Sequence, residues 1–399
     1  MNERLHRRDR KGIAILVAIT TFMFMSTLVT DISFGARVRF LNAAHERDEA
    51  KAYWLANTGI GLYRILLVAN KQIAGNEMIK SYLDQMGIPA NDALWSMIPF
   101  INTGLLRLIF VEGSSLDEED VEGLGSSGRV SDEVAQESRE EGGGRFGGKN
   151  FLDFEGDFNA TVRGEDCRVN VNQLSTRTAD KLPQDTAVGQ QLTGLMSGEE
   201  NDAWLRERNL DRIELIGNLA DWVDSDNTVA SGRGGYEDDF YNRQSPPYLS
   251  KNAKFDTQQE IRLVEGWQDE VYDRWASQIT IYGSGKININ CADETVLAGL
   301  LKAYITPVPS DDDCQRILEL MREQTAVTSF SKGKDFSNWL TTNLQMGTVS
   351  PDLASAVDVK TTVFTVESTG QVGDGVAMIT AVLDFSTSSS GKTTYWRVD

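Results

Sequence analysis

The chain has 399 residues, enough for two or three domains, and its 39 basic and 59 acidic side chains give a net charge of −20. Such an acidic protein repels phosphate backbones, which argues against a general nucleic-acid binder. Two histidines, both near the N-terminus, and three cysteines without a CxxC pair provide little for a histidine-based catalytic site or a zinc site.

The first predicted element is a membrane-spanning helix that follows a basic segment. Residues 1–12 carry five basic and two acidic side chains, and residues 13–29 contain no charge. As a helix, this apolar run is roughly 26 Å long, at the short end of a membrane crossing. The basic flank predicts a cytoplasmic N-terminus and an exported remainder. An A-x-A motif, typical of a cleaved secretory signal, is absent within ten residues of Val29.

Helical periodicity continues beyond the apolar run. Apolar residues recur at three- and four-residue steps to about Asn70, and the first proline is Pro89. A single helix over residues 13–70 is therefore predicted, with a membrane-spanning part at 13–30 and a length of roughly 87 Å. Its later part is amphipathic and needs a soluble surface on which to pack.

Lys11-Gly12, the apolar run and the continuous amphipathic helix together resemble the type IV pilin and pseudopilin superfamily. In that superfamily a prepilin peptidase cuts after the leader glycine and methylates the new N-terminus. The resemblance implies cleavage between Gly12 and Ile13 and N-methylation of Ile13.

The fifth mature position is Val17, where most pilins have a glutamate. A carboxylate in hydrocarbon is costly unless a cation pairs with it, and in assembled pili that cation is the N-terminus of the subunit above. A subunit with nothing above it gains no such pair. Val17 therefore suggests a subunit at the tip, a feature of the K minor pseudopilins of type II secretion systems.

The exported part is predicted to be α+β. Alternating segments at 151–171, 359–368, 376–385 and 393–398 predict strands. Helical periodicity lies between the first of them and the rest, for example at 202–223 and 257–265. This order predicts a large α-helical domain inserted into a small antiparallel sheet, on which the long helix packs. The K pseudopilins have a similar layout. The predicted parts are a leader at 1–12, the helix at 13–70, a first part of the pilin domain at 71–172 with an acidic, glycine-rich loop at 112–150, the inserted domain at 173–355, and C-terminal strands at 356–399.

Local segments extend the resemblance to the K family. RVNVNQLS at 168–175 and KININCADETVLAGLL at 286–301 look like the paired N-x-N segments that bracket the insertion's core. Between them, LADWVDSD at 219–226 and YEDDFY at 236–241 are similar to the most recognisable part of the family. Together these segments identify the K family more specifically than any one of them does alone.

Acidic side chains gather around a glycine-rich bend at 231–235 in the predicted insertion. A hard cation needs six to eight oxygen ligands on a flexible loop, and this segment can supply them. It is not an EF-hand, because the twelfth position counted from Asp224 is Gly235. From the residues alone an acidic, solvated loop is the alternative, but the resemblance implies calcium, which the K family binds in its helical domain. The candidate ligands are Asp221, Asp224, Asp226, Glu237, Asp238 and Asp239.

The three cysteines leave two interpretations open. Cys291 and Cys314 could form a disulfide in an oxidising periplasm, which leaves Cys167 free. The alternative is that all three are buried free thiols.

The sequence thus predicts a non-enzymatic minor pseudopilin at the tip of a type II secretion pseudopilus, where it initiates or caps assembly for protein export across the outer membrane. The resemblance implies as partners the I and J minor pseudopilins, the major pseudopilin and the prepilin peptidase. It also implies a single-pass inner-membrane protein with a cytoplasmic N-terminus and a periplasmic C-terminal domain. One alternative is a minor pilin of a type IV pilus machine. The other is a membrane-tethered periplasmic hydrolase, although no acidic pair stands out by its spacing.

Overall fold

The computed structural model describes residues 2–85, 93–107, 154–176, 181–230, 236–327, 329–344 and 347–399. The predicted acidic loop at 112–150 and the bend at 231–235 lie outside the described residues.

The longest element is helix α1, Asn2–Ala74. It is longer at both ends than the predicted helix. At the N-terminal end, the Glu, Arg, Leu and Lys residues of the leader are good helix formers. It ends at Ala74, and the N–H of the following residue, Gly75, donates to the carbonyl oxygen of Lys71 at 3.1 Å. The chain therefore presents its apolar run and its amphipathic part as one continuous rod.

Helix α1 packs on a five-stranded antiparallel sheet with the strand order β1-β2-β9-β10-β11. Strand β2 pairs with β9, with Asp157 opposite Gln371, although the whole insertion separates them in sequence. This confirms the α+β class and the long helix on a small antiparallel sheet. The strands are β1 Phe100–Asn102, β2 Asp157–Gly164, β9 Val363–Val372, β10 Gly375–Asp384 and β11 Lys392–Val398.

The contact between α1 and the sheet is close. One stripe of the helix is buried, at Ala52, Ala56, Ile60, Tyr63 and Leu67, with helical steps of three and four residues. A Cβ added at Gly370 would lie 2.0 Å from the carbonyl oxygen of Ala52, so the strand needs glycine at this crossing. Small residues on both sides let the two backbones approach each other.

Between β2 and β9 the chain forms a helical insertion with its own core, which runs from Val169 to Val359. Only two-residue strand pairs occur in its described part: β3 Val169–Asn170 with β4 Ile279–Thr280, β5 Ile287–Asn288 with β8 Val357–Asp358, and β6 Ile305–Thr306 with β7 Thr348–Val349. In the part of the chain that the structure describes, the helices after α1 are α2 Glu77–Gln85, α3 Ala93–Met97, α4 Thr103–Arg107, α5 Ala187–Leu195, α6 Glu199–Glu207, α7 Arg212–Val223, α8 Asp238–Tyr241, α9 Asp269–Trp275, α10 Glu294–Tyr304, α11 Asp311–Val327, α12 Gly333–Asn343 and α13 Leu353–Ala356.

Several local predictions need correction. The continuous helical pattern at 202–223 is split into α6 and α7, because the Asp211 carboxylate accepts a hydrogen bond from the Ile213 N–H at 2.7 Å and starts a new helix. The strand predicted through residue 171 ends at Gly164 and gives way to a 3₁₀ turn, Glu165–Cys167. The helical pattern at 257–265 is a 3₁₀ helix, Gln258–Leu263.

The asparagines of the two N-x-N segments join parts of the chain that are distant in sequence. The Asn172 side chain donates to the carbonyl oxygens of Phe255 and Ile281 and accepts from the Phe255 N–H at 2.7 Å. Asn288 Nδ2 donates to Thr361 Oγ1 at 2.8 Å. Buried amides that bridge loops in this way stabilise an insertion that has little regular sheet.

Candidate functional site

Three carboxylates of the insertion converge where α7 ends. Asp224, Asp226 and Glu237 each place one carboxylate oxygen within 4.8 Å of the others. Asp224 is the C-terminal cap of α7, and Glu237 immediately precedes α8. The acidic cluster therefore joins the end of α7 to the start of α8.

The burial and close approach of these carboxylates are energetically unfavourable unless a cation neutralises them. Glu237 is buried, and among the described residues its Oε1 has no hydrogen-bond partner. Burial, with added repulsion from Asp221, Asp224 and Asp226, raises the pKa of Glu237 to about 8. Three converging carboxylates with a buried, unsatisfied oxygen form a donor set that suits a hard divalent cation.

The other three predicted ligands make hydrogen bonds that shape the loop. Asp221 Oδ1 accepts from the Ala230 N–H at 2.7 Å, and Asp239 Oδ2 accepts from the Tyr236 N–H at 3.3 Å. Asp238 Oδ1 accepts from the backbone N–H and the hydroxyl of Ser250, at 2.9 and 3.0 Å. The structure thus brings three of the six predicted residues together and gives the others backbone contacts around them.

The predicted disulfide Cys291–Cys314 is wrong. Cys167 is bonded to Cys291, with the two Cα atoms 5.4 Å apart, and Cys314 is a buried free thiol. The physical reason is the direction of α11, which places Cys314 against the insertion's core with Sγ 4.0 Å from the carbonyl oxygen of Ala298. The bridge joins the turn at the end of β2 to the segment before α10.

Sequence reasoning missed a buried polar junction beside this disulfide. Glu165 and Arg168 are almost fully buried and form an ion pair, and Glu165 also accepts hydrogen bonds from Thr280 and Thr365. The only hint in the sequence was a charged run, EDCR, directly after an alternating segment.

Asp166 extends the junction to the start of β9. It accepts from the N–H groups of Thr362, Val363 and Ser284. Burial outweighs these hydrogen bonds and raises the pKa of Asp166 above its ordinary value. The chain passes from the sheet to the insertion and back again, and both passages therefore meet at this small buried polar junction.

The two ends of α1 have different surroundings. By length and composition, one described helix, Ile13–Ala74, can cross a membrane, and its most apolar stretch has no protein cover. Ile13 and Val17 are 64% and 55% exposed, whereas Ala56 and Tyr63 are fully buried by the sheet.

The face of α1 opposite the sheet is also apolar. Trp54 and Ile65 are 65% and 68% exposed, and Thr58 and Gly61 lie between them at helical steps of four, three and four residues. A Cβ added at Gly61 would meet nothing within 4 Å. We call Trp54, Thr58, Gly61 and Ile65 the outer stripe of α1.

Comparison with known proteins gives the family of the central part. A family model described as type II secretion system (T2SS), protein K, matches residues 167–284, which include Cys167 and all six predicted ligands. Type II secretion system protein K of Aeromonas hydrophila is 26% identical over 230 residues, 57% of this chain and 66% of that protein. The protein of the same name from Klebsiella pneumoniae is 28% identical over 166 residues, 40% of this chain and 48% of that protein.

The matched region spans less than two thirds of the length of either relative. A crystal structure of the GspK–GspI–GspJ complex from the type 2 secretion system of enterotoxigenic Escherichia coli includes a chain that is 18% identical, with a TM-score of 0.48. The comparison covers 61% of this chain and 80% of that one.

Proposed function

We propose that this chain is a member of the type II secretion system protein K family and the minor pseudopilin at the tip of a secretion pseudopilus. In this role it initiates or caps assembly for protein export across the outer membrane and catalyses no reaction. Helix α1 carries the proposal, because a single rod combines an apolar end without protein cover and an end packed on a sheet.

The exposed end of α1 anchors the precursor in the inner membrane, with the N-terminus in the cytoplasm and the C-terminal domain in the periplasm. Prepilin peptidase removes residues 1–12 and methylates Ile13. Val17 has no carboxylate to pair with a subunit above, which supports a terminal position in the filament. The bulk of the insertion would block further subunits from adding above it.

The outer stripe of α1 supports contacts with other pseudopilins. Exposed Trp54 and Ile65 offer apolar surface, and the small residues Thr58 and Gly61 between them permit close approach of a second helix. The partners we propose are the I and J minor pseudopilins and, along the rod, the major pseudopilin.

We further propose that Asp224, Asp226 and Glu237 bind calcium. Bound calcium would neutralise carboxylates that otherwise repel one another and would hold the end of α7 next to the start of α8. The hydrogen bonds of Asp221, Asp238 and Asp239 keep the loop in shape around these three ligands.

The processing step is tested by mass spectrometry of the mature N-terminus. Purified from cells that contain the secretion system, the chain is expected to begin at methylated Ile13; cells without prepilin peptidase provide the control, with residues 1–12 retained. An intact Met1 in both strains contradicts the proposal.

A second test separates the two kinds of filament. Deletion of the gene that encodes this chain should abolish protein secretion and leave twitching motility unchanged. The opposite result would indicate a type IV pilus.

Calcium binding is tested by thermal unfolding of the full chain in lipid nanodiscs. EDTA should lower the melting temperature and added calcium should restore it, because a ligand that binds only the folded state stabilises it. Glu237→Gln together with Asp224→Asn should remove this response, while Asp374→Asn, in the exposed β9–β10 turn, should keep it. Equal responses in all variants, or none in the wild type, exclude this site.

A further inference from the structure

A groove lies on the insertion, away from the acidic cluster, between α11, the end of α12 and the loop that follows β6. Its volume is about 390 Å³. The loop contributes Pro307 and Val308, α11 contributes Ile317 and Leu320, and Leu344 closes the end. We call this the 305–344 groove.

The apolar surface of α11 is wider than the insertion's core covers. Cys314, Leu318 and Met321 form its buried stripe, at steps of four and three residues. Ile317 and Leu320 continue the apolar surface to one side, where Leu320 is 41% exposed. Across the groove, Val308 is 64% exposed. Exposed aliphatic side chains of α11 and of the loop after β6 thus line the same groove, and burying them would be favourable.

The rim of the groove has a net negative charge. It carries the carboxylates of Asp313, Glu319 and Glu323 and one guanidinium, Arg316. Arg316 is already paired with Asp313. Among the described residues, no basic side chain forms an ion pair with Glu319 or Glu323, which lie one helical turn apart on α11. The floor is therefore apolar, and two neighbouring carboxylates remain at its edge.

We propose that the 305–344 groove binds an amphipathic, basic helix of a partner protein. An apolar groove accepts the apolar stripe of such a helix, with anchors at positions i, i+3 or i+4, and i+7. The two carboxylates select lysine or arginine beside those anchors and suppress acidic partners by repulsion. The inference does not depend on the pseudopilin proposal or on calcium.

Charge complementarity favours this occupant over a second copy of the chain. The protein has a net charge of −20, so two copies that meet at an acidic rim would repel each other. A basic helix gains from the same field and reaches the groove faster.

The test uses the full chain in phosphatidylcholine nanodiscs, with empty nanodiscs as the blank. The probe is a fluorescent synthetic helix with leucines along one stripe and lysines elsewhere, some leucines being replaced by photo-leucine. We expect binding by fluorescence anisotropy and, on irradiation, crosslinks to residues 305–323 and 343–344. The same helix with glutamates in place of lysines should bind at least about tenfold more weakly.

Variants locate the site. Leu320→Glu and Val308→Glu should each weaken binding about tenfold, and Glu319→Lys with Glu323→Lys should do the same. Leu249→Glu, at a leucine 62% exposed outside the groove, and Asp374→Lys should leave binding unchanged. Circular dichroism checks that each variant is folded, and Val308→Glu, in a loop, serves if Leu320→Glu is not.

Three results would overturn the proposal. The first is no binding of the basic helix by the wild type. The second is equal loss in the groove and control variants, with crosslinks spread over the acidic surface, which indicates non-specific attraction. The third is self-association of the chain, measured by sedimentation, that Leu320→Glu removes, because the groove then binds a second copy.

Discussion

The helix–sheet unit and the inserted helical domain are stabilised in different ways. In the helix–sheet unit, one stripe of α1 packs on alternating residues of β2, β9 and β10. The helical period on α1 and the two-residue period of the strands therefore determine which residues form this core. In the second, short helices and two-residue strand pairs surround a core that gathers residues from Val169 to Val359. The first depends on patterns within single elements, and the second depends on contacts between residues far apart in sequence.

The junction between the helix–sheet unit and the inserted domain fixes both ends of the insertion. The chain leaves the sheet after Gly164 and returns at Val363, and both crossings meet the cluster of Glu165, Asp166 and Arg168 beside the Cys167–Cys291 bridge. An insertion with little regular sheet needs such fixed ends, because its own strand pairs are too short to set its position.

Arg168→Met is expected to have the largest effect. It leaves Glu165 buried without its closest cation and should cost about 3–5 kcal/mol of the insertion's stability. Hydrogen exchange with mass spectrometry on the full chain should show faster exchange in peptides from 169–359 than in peptides from α1. The control is Arg316→Met, because Arg316 lies in the insertion, is exposed, and its surface pair with Asp313 is worth about 1 kcal/mol or less. Equal protection in both variants would contradict this role for the junction.

Loss of the disulfide is expected to cost somewhat less. Replacing Cys167 and Cys291 by serine should lower stability by about 2–4 kcal/mol, because the bridge closes a long loop in the unfolded chain. Urea unfolding of the non-reduced wild type and the double variant measures the difference.

Thiol alkylation checks the same pairing. In the native chain Cys314 should not react, because it is buried and burial raises the pKa of its thiol to about 11. Unfolding without reductant should expose Cys314 alone. Labelling of Cys167 instead of Cys314 would contradict the Cys167–Cys291 bridge and would support the Cys291–Cys314 disulfide that the sequence predicted.

Substitutions on the outer stripe of α1 are expected to leave stability almost unchanged. Trp54→Ala and Ile65→Ala remove exposed side chains, so the free energy of unfolding, measured by thermal denaturation, should change by about 0.5 kcal/mol or less. Co-purification with the I and J pseudopilins should nevertheless fall, and Gln72→Ala, on an exposed position of the same helix, should not reduce it. A large loss of stability would mean that the stripe packs within this chain.

Local sequence patterns predicted much of the helix–sheet unit. The apolar run, the amphipathic continuation and the three C-terminal strands follow from periods that each element carries by itself. Errors arose where a side chain interrupts a period, as Asp211 does when its carboxylate starts α7. The acidic cluster was predicted as six residues, because composition shows which carboxylates are near in sequence but not which ones face one another.

By itself the sequence determined the long helix with its apolar end, the apolar side chain at Val17 and the α+β order of elements, since these are properties of consecutive residues. Only the tertiary structure decided the partner of Cys291, the burial of Glu165 against Arg168, and the convergence of Asp224, Asp226 and Glu237. The physical reason is that each of these pairs residues from separate segments. Which segments meet depends on how the insertion closes on itself, and no local period encodes that closure.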